Sequence, residues 1–275
     1  MRPCSTASPR PELADFATLE LEREGPLLRV WLARPDRLNA ISPLMLREVG
    51  DLFSSLENDF ETRVVILGGR GRTFCAGADR KPPVPGQALA PAQTDRESRW
   101  IAQLGRRACQ AIEDCEVLTV ARVHGHAVGG GCCFALSCDF RVTAEDALFR
   151  VPEVDLGVPL TWGAAPRLIH EIGAARAREV LLLCEDIDGR KALDWGMAHR
   201  AVPSAELDEA VDALANTLAR KPEMAVYMTK TQLRGYAQRA RLGDVTESDS
   251  DIIDVAMRSE SGSGLFAMSK KTSQD

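Results

Sequence analysis

The stretch VLTVARVHGHAVGGGCCFALSCDFRVTA, residues 117–144, decides the fold class. VLTVARVHG has the apolar and β-branched run of a buried strand. Glycines 129, 130 and 131 follow, then an apolar segment of short-helix length with Cys132 and Cys133 at its head, and FRVTA reads as a second strand. A strand, bare backbone and a helix start place free N–H groups beside the positive end of a helix dipole. That arrangement suits an anion or a developing oxyanion.

The same order recurs upstream. TRVVILGGRGRTFCAGADRK (62–81) holds the buried strand Val64–Leu67 and a second glycine-rich loop. Before it, LLRVWLA (27–33) is a strand that ARPDRLNAISP breaks with Pro35, Asn39 and Pro43. Ser42 is placed to cap a helix whose first position takes Pro43, and Met45, Val49, Leu52, Phe53 and Leu56 follow at helical spacing. A helical stretch from about Thr94 to Asp114 leads into the strand at 117. Strands alternating with helices imply an α/β fold with crossover connections.

From Trp162 onward the pattern is helical, near Ala164–Cys184, Gly189–Trp195, Ser204–Arg220 and Pro222–Gly235, and residues 244–271 are polar with scattered apolar positions. PPVPGQALAPAQ (82–93) carries proline and glycine without periodicity, and is expected to be a loop. The expected division is a disordered leader over 1–15, a core over 16–203 and a helical region over 204–275.

With 275 residues, 45% of them hydrophobic and 27% charged, the chain has the composition of an ordinary globular protein. A net charge of -6 spread along the chain gives no bulk attraction for nucleic acid or an anionic membrane. No membrane span and no signal peptide are legible, so a cytoplasmic location is expected. The eight cysteines show no disulfide framework and no C-x-x-C pair, and most are expected to be reduced and buried. His124 and His126 would share a face on a strand but lack a third ligand, so no metal site is expected. The glycine loops fit neither G-x-G-x-x-G nor a P-loop.

TFCAGAD (73–79), VHGHAVGGGC (123–132) and FRVPEVDLGVP (149–159) resemble the enoyl-CoA hydratase/isomerase, or crotonase, superfamily. The likeness runs from about Leu19 to Leu233 and includes ARPDRLNA (33–40) and GRKALDWGMAHRAVP (189–203). It implies a spiral of ββα repeats, a C-terminal helical trimerisation region, and a homotrimer or a homohexamer built from two trimers. It also implies an acyl-CoA or enoyl-CoA thioester as partner, with no cofactor beyond the coenzyme A moiety of the substrate. By that resemblance the backbone N–H groups of Ala78 and Gly130 form an oxyanion hole. Coenzyme A would lie along Arg37, Leu38 and Ala40 and around Ala76 and Ala78, with Lys81 and Arg37 near its phosphates.

The family's hydratases use two glutamates, one after the triple glycine and one in the P-E dipeptide. The resemblance places the second at Glu153 and finds Cys133 where the first should be. Partial burial among apolar residues would raise the Glu153 pKa into the range useful for proton transfer. Cys133 reads either as a nucleophile or as packing. Asp155 would share a face with Glu153 only on a regular extended segment. In the family's dienoyl isomerases a second acid stands where this chain has Thr161. Isomerase-like chemistry with one glutamate is therefore expected ahead of hydration, with a weak hydratase and a non-catalytic acyl-CoA-binding protein as the alternatives.

Overall fold

The computed structural model describes residues 16–240 together with Met257. The leader and the stretch 244–271, apart from Met257, lie outside the described residues. The chain opens with an antiparallel hairpin, β1 (Leu19–Glu24) and β2 (Leu27–Leu32). A 3-10 turn at Pro35–Arg37 leads to α1 (Pro43–Ser55), capped as its sequence predicts by the Ser42 hydroxyl, which accepts from the Met45 N–H at 3.2 Å. β3 (Val64–Gly69) is buried along its whole length, the mark of a strand covered on both faces.

The helical stretch before residue 117 is two helices, α2 (Asp95–Ala102) and α3 (Leu104–Asp114), joined at Gln103. β4 (Leu118–Val123) is shorter than its apolar run, because the chain turns at Gly125 and β5 (His126–Val128) begins a second sheet. His124 and His126 therefore do not share a strand. The first bonds the Gly71 carbonyl through Nε2 at 2.9 Å, and the described residues hold no His, Cys, Asp or Glu cluster fit for a metal.

α4 (Gly130–Ser137) follows the glycines and is buried throughout, then come β6 (Phe140–Ala144) and β7 (Leu148–Arg150). α5 (Ala164–Leu183) is kinked at Gly173, and β8 (Ile187–Asp188), α6 (Gly189–Trp195), β9 (Arg200–Val202), α7 (Leu207–Ala219) and α8 (Glu223–Ala240) complete the described chain. The short strands β7, β8 and β9 carry too few residues for a periodic signal.

One sheet has the order β1-β2-β3-β4-β6-β9 and the other β5-β7-β8. In the larger sheet β2, β3, β4 and β6 run parallel as consecutive neighbours, with α1 and α3 packed against each other over it. The loops leaving the carboxyl ends of β2, β3 and β4 therefore emerge side by side at one edge, where ligands gather in α/β sheets. The first two of those loops carry Arg37–Ala40 and Ala76–Ala78; the third leads straight into β5, at whose end Gly129 and Gly130 start α4. No helix among the described residues is long and apolar enough to cross a membrane.

Candidate functional site

Backbone hydrogen bonds stitch the three loops together. Ala76 N–H donates to the Leu38 carbonyl at 3.0 Å and Ile41 N–H to the Gly77 carbonyl at 2.8 Å, so the segment around Leu38–Ile41 lies along Ala76–Asp79. Cys75 N–H donates to the His126 carbonyl and Val128 N–H to the Cys75 carbonyl, both at 2.9 Å, which sets Ala78 beside the start of α4. Among the described residues neither the Ala78 N–H nor the Gly130 N–H has a hydrogen-bond acceptor. Ala78 is exposed and Gly130 buried, so the pair has an outer and an inner member. Buried N–H groups are nearly always paired, and an unpaired one at a helix start is ready to receive an oxygen.

The first of these loops is held by two buried polar side chains. Asn39 has φ 53, a left-handed backbone, and its side chain accepts from Arg34 N–H at 2.9 Å while donating to the Arg70 and Thr73 carbonyls at 2.8 Å. The Arg34 guanidinium reaches the Ala40 carbonyl and pairs with Asp79 at 2.7 Å, both side chains almost fully buried. Arg34 and Asp79 thus tie the loop after β2 to the residue next to Ala78. The sequence reading missed this pair, since an arginine and an aspartate so far apart carry no spacing signal.

Arg37 and Lys81 lie where the loops open to solvent. One terminal nitrogen of Arg37 is buried without a hydrogen-bond partner, 3.8 Å from Asp79 Oδ1, and Lys81 is exposed three residues beyond Ala78.

Glu153 faces this edge from the segment after β7. Its carboxylate lies directly over Gly129, whose φ of +49 and lack of a Cβ leave room for Oε1, and Oε2 is buried with no hydrogen-bond partner. Burial pushes the carboxyl up from 4.5 to about 7, against the opposing effects of its own backbone N–H and of Arg80. A carboxylate of this kind takes and returns protons near neutral pH. Residues 153–156 form turns, so the extended geometry needed for Asp155 to join Glu153 is absent. Asp155 is exposed instead, 3.7 Å from Arg150.

Cys133 lies one helical turn beyond Gly130, fully buried, with its Sγ donating to the Thr161 carbonyl at 3.9 Å. Burial pushes its thiol well above 9, so it remains a neutral thiol and the nucleophile reading receives no support. The seven described cysteines are all free and buried. Thr161 contributes its backbone to the site, and Trp162 packs against Gly130 and Phe134. A cavity of about 630 Å³ lies elsewhere, beneath α8, lined in part by Leu136, Phe140, Val226 and Leu233.

This geometry can be set beside known proteins. The chain is 33% identical over 211 residues to a short-chain-enoyl-CoA hydratase of Clostridium acetobutylicum, covering 76% of this chain and 78% of that one. It is 32% identical over 231 residues to a peroxisomal Delta(3,5)-Delta(2,4)-dienoyl-CoA isomerase of Arabidopsis thaliana, covering 80% and 83%. The crystal structure of an enoyl-CoA hydratase/isomerase from Mycobacterium paratuberculosis superposes with a TM-score of 0.81 at 25% identity, over 93% of this chain and 100% of the other. The superposition extends the likeness from sequence motifs to the whole α/β architecture, the crotonase fold. The enoyl-CoA hydratase/isomerase family model matches residues 22–272, and the chain belongs to that family.

Proposed function

We propose that this protein isomerises enoyl-CoA thioesters, with Glu153 as the single proton-transfer group and the N–H groups of Ala78 and Gly130 as donors to the thioester oxygen. The observation that carries the reading is the Glu153 carboxyl, buried with one oxygen unpartnered and pushed up to about 7. In a 3-enoyl thioester, Glu153 takes a proton from the carbon next to the thioester carbonyl. The electron pair of that C–H bond moves into the conjugated enolate, whose negative oxygen rests on the two N–H donors. Glu153 then returns the proton two carbons further on, the double bond settles beside the carbonyl, and no oxidant or water is consumed. Preorganised donors of this kind contribute about 3–4 kcal/mol each to the transition state.

Hydration would need a second group to hold and activate water. The neutral, buried thiol of Cys133 is a poor one, and Asp155 points to solvent. The coenzyme A moiety fits the outer edge of the site, along Arg37, Leu38, Ala40 and Ala76, with Arg37 and Lys81 supplying positive charge for its phosphates. No further cofactor enters the reaction. Apolar residues exposed on α8, including Met224, Met228 and Leu233, support assembly into a homotrimer or homohexamer.

Turnover of matched 2-enoyl and 3-enoyl thioesters by the purified protein tests the reading. Interconversion of the double-bond isomers with little 3-hydroxyacyl product is expected, and it should vanish in Glu153→Gln while acyl-CoA binding persists. Fast hydration of crotonyl-CoA by the unaltered protein overturns the preference for isomerisation. Tight acyl-CoA binding without any turnover overturns the catalytic role.

A further inference from the structure

Trp162 has an unusual setting. Its backbone is left-handed, with φ 62, a conformation that a bulky residue adopts only when its surroundings hold it there. The surroundings here are explicit. Arg167, buried, donates to the Trp162 carbonyl at 3.0 Å and to the Gly163 carbonyl at 2.9 Å, and its Nε bonds Glu113 on α3 at 2.8 Å. The indole so positioned lies between two helices that each present a glycine to it. A Cβ on Gly105 of α3 would collide with the ring, and a Cβ on Gly130 would meet Cη2 at 2.8 Å and Ile41 Cδ1 at 2.9 Å. Phe134 closes the far side, with ring centroids 6.3 Å apart.

The position of that ring relative to the two N–H donors has a chemical consequence. Coenzyme A is assigned to the exposed side, near Ala78, Arg37 and Lys81, so the acyl group must run inward past Gly130. Glu153 lies over Gly129, and Trp162 with Ile41 lies over the next residue, Gly130. The acyl chain therefore meets the indole within a few carbons of the thioester.

We propose that Trp162 is the specificity-determining wall of the acyl pocket, limiting the site to short acyl groups. The inference rests on the thioester reading given above and adds the size of the substrate to it. Arg167 fixes the backbone of this wall, and the ring itself is wedged against Gly105, Gly130 and Phe134, so the indole has no free volume into which to swing aside for a longer chain.

The test is calorimetric binding of saturated acyl-CoAs of increasing length, which bear no double bond to isomerise, to the full-length protein and to Trp162→Gly. Glycine accepts the left-handed backbone and removes the ring. The unaltered protein should bind butyryl-CoA more tightly than decanoyl-CoA. In Trp162→Gly the order should reverse, with a gain of about fourfold for each methylene newly buried. If that variant is unfolded by circular dichroism, Trp162→Phe carries the test and should shift the profile in the same direction by a smaller step. A length profile identical in the unaltered protein and the folded variant overturns this inference alone. Failure of the unaltered protein to bind any acyl-CoA overturns the thioester reading, and this inference with it.

Discussion

The carboxylate of Glu153 occupies the space that a side chain at Gly129 would fill. A Cβ at Gly129 would fall on Oε1, with Cδ at 3.4 Å, and the glycine's φ of +49 disfavours any other residue. One glycine of the triple run thus serves the proton-transfer group, and its neighbour supplies an N–H donor in the proposed mechanism. Gly129→Ala should cost about 1–3 kcal/mol of stability through the backbone alone, because φ 49 with ψ -111 lies outside even the left-handed helical region. Because it also displaces the carboxylate, isomerisation should fall about 100-fold. Steady-state kinetics on a variant shown to be folded checks this, and parent-level turnover would place the working carboxylate elsewhere.

The raised Glu153 pKa predicts a pH dependence of both rate and stability. The base form is needed for proton removal, so kcat/KM should climb as pH rises through about 7 and then level off. Stability runs the other way. Between the unfolded value of 4.5 and the folded value of about 7 the native state holds the extra proton, so stability is lost as pH rises across that window. The penalty is about 3 kcal/mol and stays constant above it. Glu153→Gln should therefore be inactive yet more stable than the parent at about pH 8, with the advantage fading at about pH 4. Denaturant titrations at the two pH values measure the difference, and equal stabilities at both would show that burial does not perturb this carboxyl.

What the sequence made legible was whatever has a local signature. The glycine-rich loops, the Ser42–Pro43 helix start and the buried strand at Val64–Leu67 were readable because turn chemistry, capping and periodicity act within a few residues. Glu153 was readable through motif resemblance, and its burial, which pushes the carboxyl up, follows from the apolar residues around it in the sequence. The break at Gln103, the turn that separates His124 from His126 and the turns that carry Asp155 away were hidden, since apolar runs do not announce where one sheet hands over to another. Arg34–Asp79 and Arg167–Glu113 were hidden for a different reason. Each joins residues dozens of positions apart, and only the packed chain brings them together.

Arg167 should be strongly destabilising to alter. Its side chain is buried, bonds Glu113 through two nitrogens and holds the carbonyls of Trp162 and Gly163. Arg167→Ala should cost about 3–5 kcal/mol, as loss of one member of a buried ion pair does. Arg167→Lys should recover only part of this, because an ammonium cannot span a carboxylate and two carbonyls as the planar guanidinium does. Urea unfolding distinguishes the cases, and a lysine variant of parental stability would mean that charge alone matters there.

Assembly is testable without substrate. α8 exposes Met224, Met228, Leu233 and Tyr236, while Tyr227, Lys230 and Arg234 tie it to the body, Lys230 bonding Asp139 at 2.7 Å and the Val117 carbonyl at 2.8 Å. Light scattering should give a mass of three or six times the 30.0 kDa chain. A monomer at micromolar concentration would remove the argument for a trimer.

The final prediction concerns Cys133 and Trp162 together. Introducing a second carboxylate by Cys133→Glu would supply the water-holding group that the proposed mechanism does without, but the structure leaves no room for it. Cys133 is 1% exposed and faces the Thr161 carbonyl, an acceptor that would repel a carboxylate, while the indole of Trp162 fills the neighbouring space above Gly130. The single variant should lose about 1–3 kcal/mol to overpacking and more to the buried charge, and should not hydrate crotonyl-CoA. Trp162→Gly alone creates space without a second base, and should not hydrate it either. Combined, the two changes place a carboxylate beside a cavity that water can enter, so hydration should appear in the double variant only. Such non-additivity is the signature of two residues sharing one volume. Hydration by Cys133→Glu with Trp162 in place would show that the ring does not control that space, and a folded double variant with no hydration would show that water needs a group that neither position provides.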